Sequence, residues 1–292
     1  MKKYIKSPLN YTGGKFKLLP QILPLFPNDI DTFVDVFGGG FNVGINVDAK
    51  RVVYNDLMEQ VAELVDWICK VDAKEAILLI ENDIKKFSLH RHKPYEKFTK
   101  EEEEQYKLNH KLMRAEYNQE KNPQKLYSLV CTSFSNQIRF NSKGDYNMPS
   151  GKRDFNTQLK KRFEDFSIAA KSKHITFLNE DFRDVITMPI RDSDLFYFDP
   201  PYLGSVASYN ENGGWTEKDE KELHSVLDSI HDIGGRFALS NVMENKGVEN
   251  TLLKMWSLKY NVHYLNHSYG NCNYQAKDKS KDSTVEVLIT NY

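Results

Sequence analysis

The chain has 292 residues, 40% hydrophobic and 12% aromatic, with a formal net charge of −1. That is enough apolar material for one large α/β domain, or one domain carrying a sizeable insertion, and so even a charge balance does not announce a nucleic-acid binder. No apolar run approaches the ~18 residues of a membrane span, Met1-Lys2-Lys3-Tyr4 lacks the apolar segment of a secretory signal, and Cys69, Cys131 and Cys272 show no C-x-x-C spacing. A disulfide framework, a zinc site and a membrane partner are therefore not indicated, and a reduced, cytoplasmic protein, monomeric by default, is expected.

In chain order, Ser7-Pro8-Leu9 and a Gly13-Gly14 turn precede a helical pattern through Leu18, Leu19, Ile22 and Leu23, with Lys15 at the helix start. Thr32 to Phe37 reads as a strand, and Gly38-Gly39-Gly40 ends it in a tight turn. Strand, glycine turn and helix form the arrangement in which backbone amides meet a nucleotide without intervening side chains. The next strand, Arg51 to Tyr54, is followed by Asp56, an acid about twenty residues on that is spaced for ribose hydroxyls, with Asp56 as a plain helix cap the alternative. Leu57, Val61, Leu64, Val65 and Ile68 mark one face of the following helix.

Residues 71–170 interrupt this rhythm with charged, helical sequence. Thr99-Lys100-Glu101-Glu102 has capping-box spacing for a helix running toward Tyr117, and His90, Arg91, His92 and His110 read as solvated surface. Between Lys121 and Lys173 basic residues exceed acidic ones by seven. Arg139-Phe140-Asn141-Ser142-Lys143-Gly144 and the segment to Gly151 mix guanidinium, amide and aromatic groups on a turn-rich ribbon, groups that read base edges, hold phosphates or wedge into a base stack. Sheet logic resumes at His174 to Leu178, followed by Asp181-Phe182, where Asp181 is a helix cap in the bland reading. Leu195-Phe196-Tyr197-Phe198 then reads as a buried strand ended by Asp199-Pro200-Pro201-Tyr202. Beyond lie a glycine- and asparagine-rich loop of residues 204–215, expected to order over a ligand, a helix start at Thr216 and Asp219, and a strand from Arg236. A polar loop carrying Lys277, Lys279 and Lys281 leads to a last strand from Ser283 to Asn291.

Asp199-Pro200-Pro201-Tyr202 resembles the signature of amino-methyltransferases acting on DNA bases. Asn10-Tyr11-Thr12-Gly13-Gly14-Lys15 and Asp35-Val36-Phe37-Gly38-Gly39-Gly40 resemble the cofactor motifs of Dam-type (D12 class, alpha group) DNA adenine-N6 methyltransferases. Arg139-Phe140-Asn141, followed by Gly144 to Gly151, resembles that class's R-[YF]-N…G-x-[FY]-N-x-P-x-G pattern. The motifs stand in the class's order, with Phe41 where the family more often has a small residue.

This resemblance implies a Rossmann-like, S-adenosylmethionine-dependent α/β fold with a mainly helical DNA-recognition insertion. The catalytic part would be 1–70 and 171–292, and the insertion 71–170. It implies Asp199, Pro200, Pro201 and Tyr202 as catalytic residues. Cofactor contacts would come from Tyr11, Lys15, Asp35, Phe37, Gly38, Gly39, Gly40, Asp56, Asp181 and Phe182. Arg139, Asn141, Lys143, Pro149, Lys152 and Arg153 would touch DNA, and Phe140 would be the wedge replacing a flipped base. The implied partner is double-stranded DNA, with GATC the sequence suggested; the implied setting is a restriction-modification system, with a cognate restriction endonuclease sharing the recognition site, or a phage modification system.

The chemistry fits these residue types. The adenine amine is a poor nucleophile because its lone pair is delocalised, and acceptors at the Asp199 carboxylate and the Pro200 carbonyl favour a tetrahedral nitrogen. Tyr202 would stack on the extruded base, and no metal is required. A cytosine-C5 enzyme would need a thiol nucleophile, typically after proline, and no cysteine here follows one. The nearest rivals are transfer to the cytosine-N4 amine and a non-catalytic DNA-binding module on the same fold. A nicotinamide-dependent oxidoreductase leaves Asp199-Pro200-Pro201-Tyr202 unexplained.

Overall fold

The computed structural model describes residues 3–91, 98–185, 189–203, 214–245, 247–266 and 284–292. Residues 204–213 of the loop after Leu203, the lysines at 277, 279 and 281, His92 and Cys272 lie outside them. The described residues fall into two compact units. The first comprises Met1–Gly14, Gly39–Ile45 and Met58–Lys173; the second comprises Lys15–Gly38, Asn46–Leu57 and His174–Tyr292. The sequence reading divides the chain differently, into 1–70 with 171–292 and an insertion of 71–170; residues 1–14, 39–45 and 58–70 fall in the same unit as 71–170.

The second unit is built on a mostly parallel sheet. Its strands are β1 (Thr32–Asp35), β2 (Arg51–Asn55), β3 (Ile175–Leu178), β4 (Leu195–Phe198), β5 (Arg236–Asn245), β6 (Val248–Glu249), β7 (Asn261–Leu265) and β8 (Thr284–Thr290). The order is β3-β2-β1-β4-β5-β8-β7, with β6 paired to β5. The pairs from β3 through to β5 are parallel, and β8 runs antiparallel to β5 and β7. This confirms the mixed α/β, Rossmann-like reading. Five of the strand segments read from the sequence become β1 to β5 and the last becomes β8. The sequence reading missed β7, whose exposed Tyr264 breaks the apolar signal of a buried strand.

Every residue of β4 is buried, as an unbroken apolar run requires when both faces are covered. On one face Val34, Phe196, Phe198, Phe237 and Leu239 pack against Leu223, Leu227 and Ile230 of α7 (Glu217–Asp232). On the other, Phe33 and Tyr197 stack and meet Phe26. The helical pattern around Leu18 to Leu23 is shorter than the sequence suggests. Pro20 and Pro24 divide it into a 3-10 turn, the four-residue α1 (Leu19–Ile22) and a second 3-10 turn.

In the first unit, α2 (Glu59–Lys70), α3 (Ala73–Lys86), α4 (Lys100–Glu120), α5 (Pro123–Thr132) and α6 (Thr157–Lys171) pack on one another. Val61, Leu64, Val65 and Ile68 of α2 are buried as their spacing requires, whereas Leu57 stands outside the helix and is exposed. Trp67, Tyr127 and Phe163 form an aromatic cluster among α2, α5 and α6. The capping box at Thr99 and Glu102 is formed in both directions, and α4 runs beyond Tyr117 to Glu120.

Two residues read as solvated surface are not so. His110 is buried on α4, where burial pushes its imidazole down to about 4. Arg91 is ion-paired to Glu103 and stacks on Phe98 and Tyr106. Periodicity alone could not separate these from surface groups, because the partners that cover them lie elsewhere in the chain.

Candidate active site and nucleic-acid interface

In a parallel sheet, ligand-binding groups gather where the strand order reverses, at the carboxyl ends of the strands. Here the reversal lies between β1 and β4. β1 delivers Asp35, which is 2% exposed and level with Tyr54 of β2 and Tyr197 of β4. Phe37 follows, 5.6 Å from the Phe182 ring and 5.9 Å from that of Trp215. Gly38 donates its N–H to Asn55 at 2.7 Å. A Cβ at Gly38 would stand 2.3 Å from the Tyr54 ring, so no larger residue fits this turn.

Asn55, which the sequence reading passed over, ties three strand ends together. Its amide nitrogen donates to Val36 and Glu180 carbonyls, and its oxygen accepts the Glu180 N–H. A lone asparagine at a strand end carries no sequence signal that separates it from a turn former. Asp56 is buried, and it does not cap α2, whose N-cap is Met58. The Asp56 carbonyl accepts the Asn179 side chain at 2.7 Å. Asp181 does not sit free at the end of β3: Arg183 bonds both of its carboxylate oxygens at 2.9 Å and reaches Asp219 at 2.7 Å.

At the end of β4 the carboxylate of Asp199 meets the buried Lys15 ammonium at 2.8 Å. The Tyr202 hydroxyl donates to the same oxygen, Oδ1, at 3.1 Å, and Lys15 Nζ lies 5.1 Å from the Tyr202 ring centre. Burial pushes the Asp199 carboxyl above its ordinary value, and Lys15 pulls against that shift. The sequence placed Lys15 among the cofactor contacts; the structure brings it to the Asp-Pro-Pro-Tyr carboxylate. A cation beside a desolvated acid keeps the charged, acceptor form accessible.

The first unit holds Tyr11, Gly39 and Gly40, with the Tyr11 side chain against the two glycines: a Cβ on either would lie 2.9 or 3.1 Å from it. Phe41 adopts a left-handed φ of 59°, a conformation for which glycine is the usual residue. Its ring is fully buried and meets Phe166, so packing offsets the backbone strain.

In the same unit the turn-rich Arg139 to Gly151 segment forms a hairpin. Phe140 pairs with Tyr146, and the Asn141 side-chain oxygen accepts the N–H groups of Lys143 and Asp145 at the turn. Arg139 donates to the Asn147 side chain at 2.7 Å. Gly151 is obligatory, since a Cβ there would be 2.2 Å from the Ser133 carbonyl. Lys143, Pro149, Lys152 and Arg153 are exposed. The basic excess counted along the sequence is partly neutralised by folding: Lys121 pairs with Asp145, Lys125 with Glu116 and Glu120, Lys160 with Glu81 and Lys161 with Asp165.

Phe140 does not present its ring as a wedge. It is 7% exposed and packs edge-on against Tyr146. Among the described residues of this unit, the exposed aromatic is Phe134, 57% exposed, which the sequence reading did not single out. Phe134 donates its backbone N–H to Pro149. After it, Ser135 and Asn136 both take left-handed φ values, 54° and 52°. The Asn136 amide fixes this costly turn by donating to the carbonyls of Val130 and Cys131.

Comparison with known proteins agrees with this geometry. The model of the family described as D12 class N6 adenine-specific DNA methyltransferase matches residues 11–271. The chain is 44% identical over 295 residues to the Type II methyltransferase M.FokI of Planomicrobium okeanokoites, covering 99% of this chain and 43% of that protein. It is 39% identical over 299 residues to the Modification methylase StsI of Streptococcus sanguinis, covering 100% of this chain and 43% of that protein. The chain thus spans less than half the length of these two relatives. With the Type II methyltransferase M.MjaIII of Methanocaldococcus jannaschii it shares 24% identity over 323 residues, covering 99% of both chains.

Proposed function

The chain belongs to the D12 class N6 adenine-specific DNA methyltransferase family, and from that premise we propose that it transfers a methyl group from S-adenosylmethionine to the N6 amine of adenine in duplex DNA. The observation that carries this reading is the Lys15–Asp199–Tyr202 constellation at the end of β4, beside the strand-order reversal.

The residues present fit the cofactor by their chemistry. Asp35 is an acid suited to an ammonium group and Asp56 one suited to ribose hydroxyls. Phe37 offers a partly buried aromatic ring beside the turn, and Gly38 lets that turn close against the Tyr54 ring. Asp181, anchored by Arg183, and the Phe182 N–H form a pair suited to an adenine edge. When bound, S-adenosylmethionine supplies an electrophilic methyl group.

The protein's own part is to make the amine nucleophilic. Lys15 and Tyr202 hold the Asp199 carboxylate through Oδ1, and that carboxylate accepts an amine hydrogen of the target base. The Pro200 carbonyl accepts the second, and Pro200 and Pro201 fix its direction by their restricted φ. Tyr202 stacks on the base, offsetting an unstacking cost of a few kcal/mol. These acceptors match charge that develops on the nitrogen as it attacks, and a proton then leaves to water.

On the DNA side, Arg139 and Asn141 shape and present the hairpin, while Lys143, Pro149, Lys152 and Arg153 face the duplex. Phe134, with an exposed ring on a rigid turn, takes the wedge role in place of Phe140. By analogy with relatives named Type II methyltransferase and Modification methylase, the enzyme would protect sites that a cognate restriction endonuclease cuts.

The test is methyl transfer from labelled S-adenosylmethionine to unmethylated DNA, followed by nucleoside analysis, with Asp199→Ala alongside. N6-methyladenine from the wild type and none from the variant is expected. Methylated cytosine amine, or DNA binding without transfer, would overturn the reading.

A further inference from the structure

On the face of the sheet away from α7, the last strand carries an acid that packing does not call for. Val285, Val287 and Ile289 of β8 belong to the core packed against α7, so strand alternation turns Glu286, Leu288 and Thr290 to the opposite face. Glu286 is 4% exposed there. Its cross-strand partners are Val242 of β5 and Leu265 of β7, both apolar and buried. Packing alone would favour a leucine between them, as at position 288, because taking a carboxylate out of water is costly.

The register sets this acid beside Asp199. Tyr197 of β4 shares the face, since Phe196 and Phe198 point into the α7-side core and the Tyr197 hydroxyl meets that of Ser240 on β5 at 2.7 Å. Asp199 emerges two residues after Tyr197, just past the Phe198–Leu239 pair. Glu286 pairs with Val242, two residues beyond Ser240 on β5. Directly after that pair the ladder skips Met243 and matches Glu244 to Val285. A bulge of this kind bends a strand and re-aims side chains, and bulges concentrate beside active sites.

Electrostatics join the two acids. The Glu286 charge opposes ionisation of both Asp199 and Tyr197, while Lys15, 2.8 Å from Asp199, favours the Asp199 carboxylate. Around them stand Asp35 at the end of β1, which also opposes ionisation of Tyr197, the Tyr202 hydroxyl bonded to Asp199, and His263 of β7, which meets Thr290 at 3.3 Å. A cation alone would keep Asp199 ionised but draw its lone pairs away from any other donor. A second carboxylate of like charge works the other way.

We propose that Glu286 is a positioning residue of the Asp199 site, a second buried carboxylate whose charge balances that of Lys15 and thereby sets how strongly Asp199 accepts the amine hydrogen. This rests on the methyl-transfer reading above. Glu286 acts through Asp199 and touches neither base nor cofactor in this role.

The test is the pH dependence of kcat for the full chain carrying Glu286→Gln or Glu286→Leu, which remove the charge, or Glu286→Asp, which keeps it. With the charge gone Asp199 ionises more readily, so the acidic limb should move to lower pH. Plateau kcat should fall several-fold, because a less basic carboxylate is a weaker acceptor, with KM for DNA unchanged. Glu286→Asp should hold the limb near its wild-type position. The same order should appear without any reaction in a carboxyl-carbon NMR titration of Asp199 in the cofactor-free protein, assigned with Asp199→Asn. Thermal unfolding checks folding, and either charge-removing variant carries the comparison if the other does not fold. A residue serving only packing would change the melting temperature and leave limb and titration in place. That result would overturn the proposal, as would a shift to higher pH or an equal shift in Glu286→Asp. Failure of the wild type to transfer methyl groups, with the NMR titration shifted as expected, would instead overturn the functional reading.

Discussion

The carboxyl end of the sheet and the Arg139–Gly151 hairpin hold functional side chains in opposite ways. At the sheet, β1 and β4 are paired by a backbone ladder along their length, and Asp35, Phe37 and Asp199 emerge at positions that the register dictates. The hairpin has an isolated bridge between Phe140 and Tyr146, another joins Ser133 to Ser150, and backbone bonds join Asn141 to Asp145 and Asn147 to Arg139. Its backbone is held further by side chains of α4 and of its C-cap, Lys121. Asn118 accepts from the Tyr146 N–H and donates to its carbonyl, Arg114 donates to Met148, and Lys121 donates to Gly144. These three residues recur at helical spacing, so one face of α4 reads the hairpin backbone. Underneath, the Tyr146 hydroxyl donates to Ser133, whose own hydroxyl reaches the neutral His110 ring. The sheet site is thus specified by secondary structure, and the hairpin by a tertiary polar network that few substitutions can respect.

The largest effect should come from removing the cation of the sheet site. Lys15→Met is expected to lower kcat about 10²–10³-fold, the usual cost of losing a preorganised electrostatic partner. The sign of its pH effect follows from the geometry. Asp199 must be ionised to accept, burial already raises its carboxyl, and Lys15 opposes that shift. Without Lys15 the group protonates at higher pH, so the acidic limb of the kcat profile should move upward. An unmoved limb would detach Lys15 from Asp199.

A smaller effect should separate two aromatic residues of the first unit. Phe134→Ala, an exposed change, should leave stability within about 0.5 kcal/mol while lowering kcat/KM about tenfold and reducing the fluorescence of 2-aminopurine placed at the target base, which reports extrusion. Phe140→Ala should instead destabilise the fold by about 3 kcal/mol, read by denaturant unfolding. The reverse pattern would return the wedge to Phe140.

The smallest effect tests the hairpin's support. Asn118→Ala removes both bonds to Tyr146 and should cost about 1–2 kcal/mol of stability. It should weaken DNA binding several-fold and leave S-adenosylmethionine affinity unchanged, as measured by anisotropy and calorimetry. Equal loss of both affinities would show that the hairpin is not specified separately from the sheet site.

The strands around the site were legible because a buried parallel strand must be a short apolar run, as Leu195 to Phe198 is, and because proline pairs and glycine triplets end strands abruptly. The same rules fail where polarity is internal. Lys121 and Lys125 read as a basic surface but are bound by acids or by the hairpin backbone, and His110 read as solvated but is buried and bonded to Ser133. Pattern reports a residue's type and spacing, not whether a distant segment will cover it.

By itself, then, the sequence determined the strand order's landmarks, the glycine turn and the Asp199-Pro200-Pro201-Tyr202 carboxylate, because each depends on local backbone restriction and short-range apolar periodicity. Only the tertiary structure decided that Lys15 pairs with Asp199, that Phe134 and not Phe140 is exposed, and that Glu286 is buried on the sheet face of Asp199. Those outcomes join residues distant in the chain, and burial and hydrogen-bond satisfaction, which select them, exist only once the chain has folded.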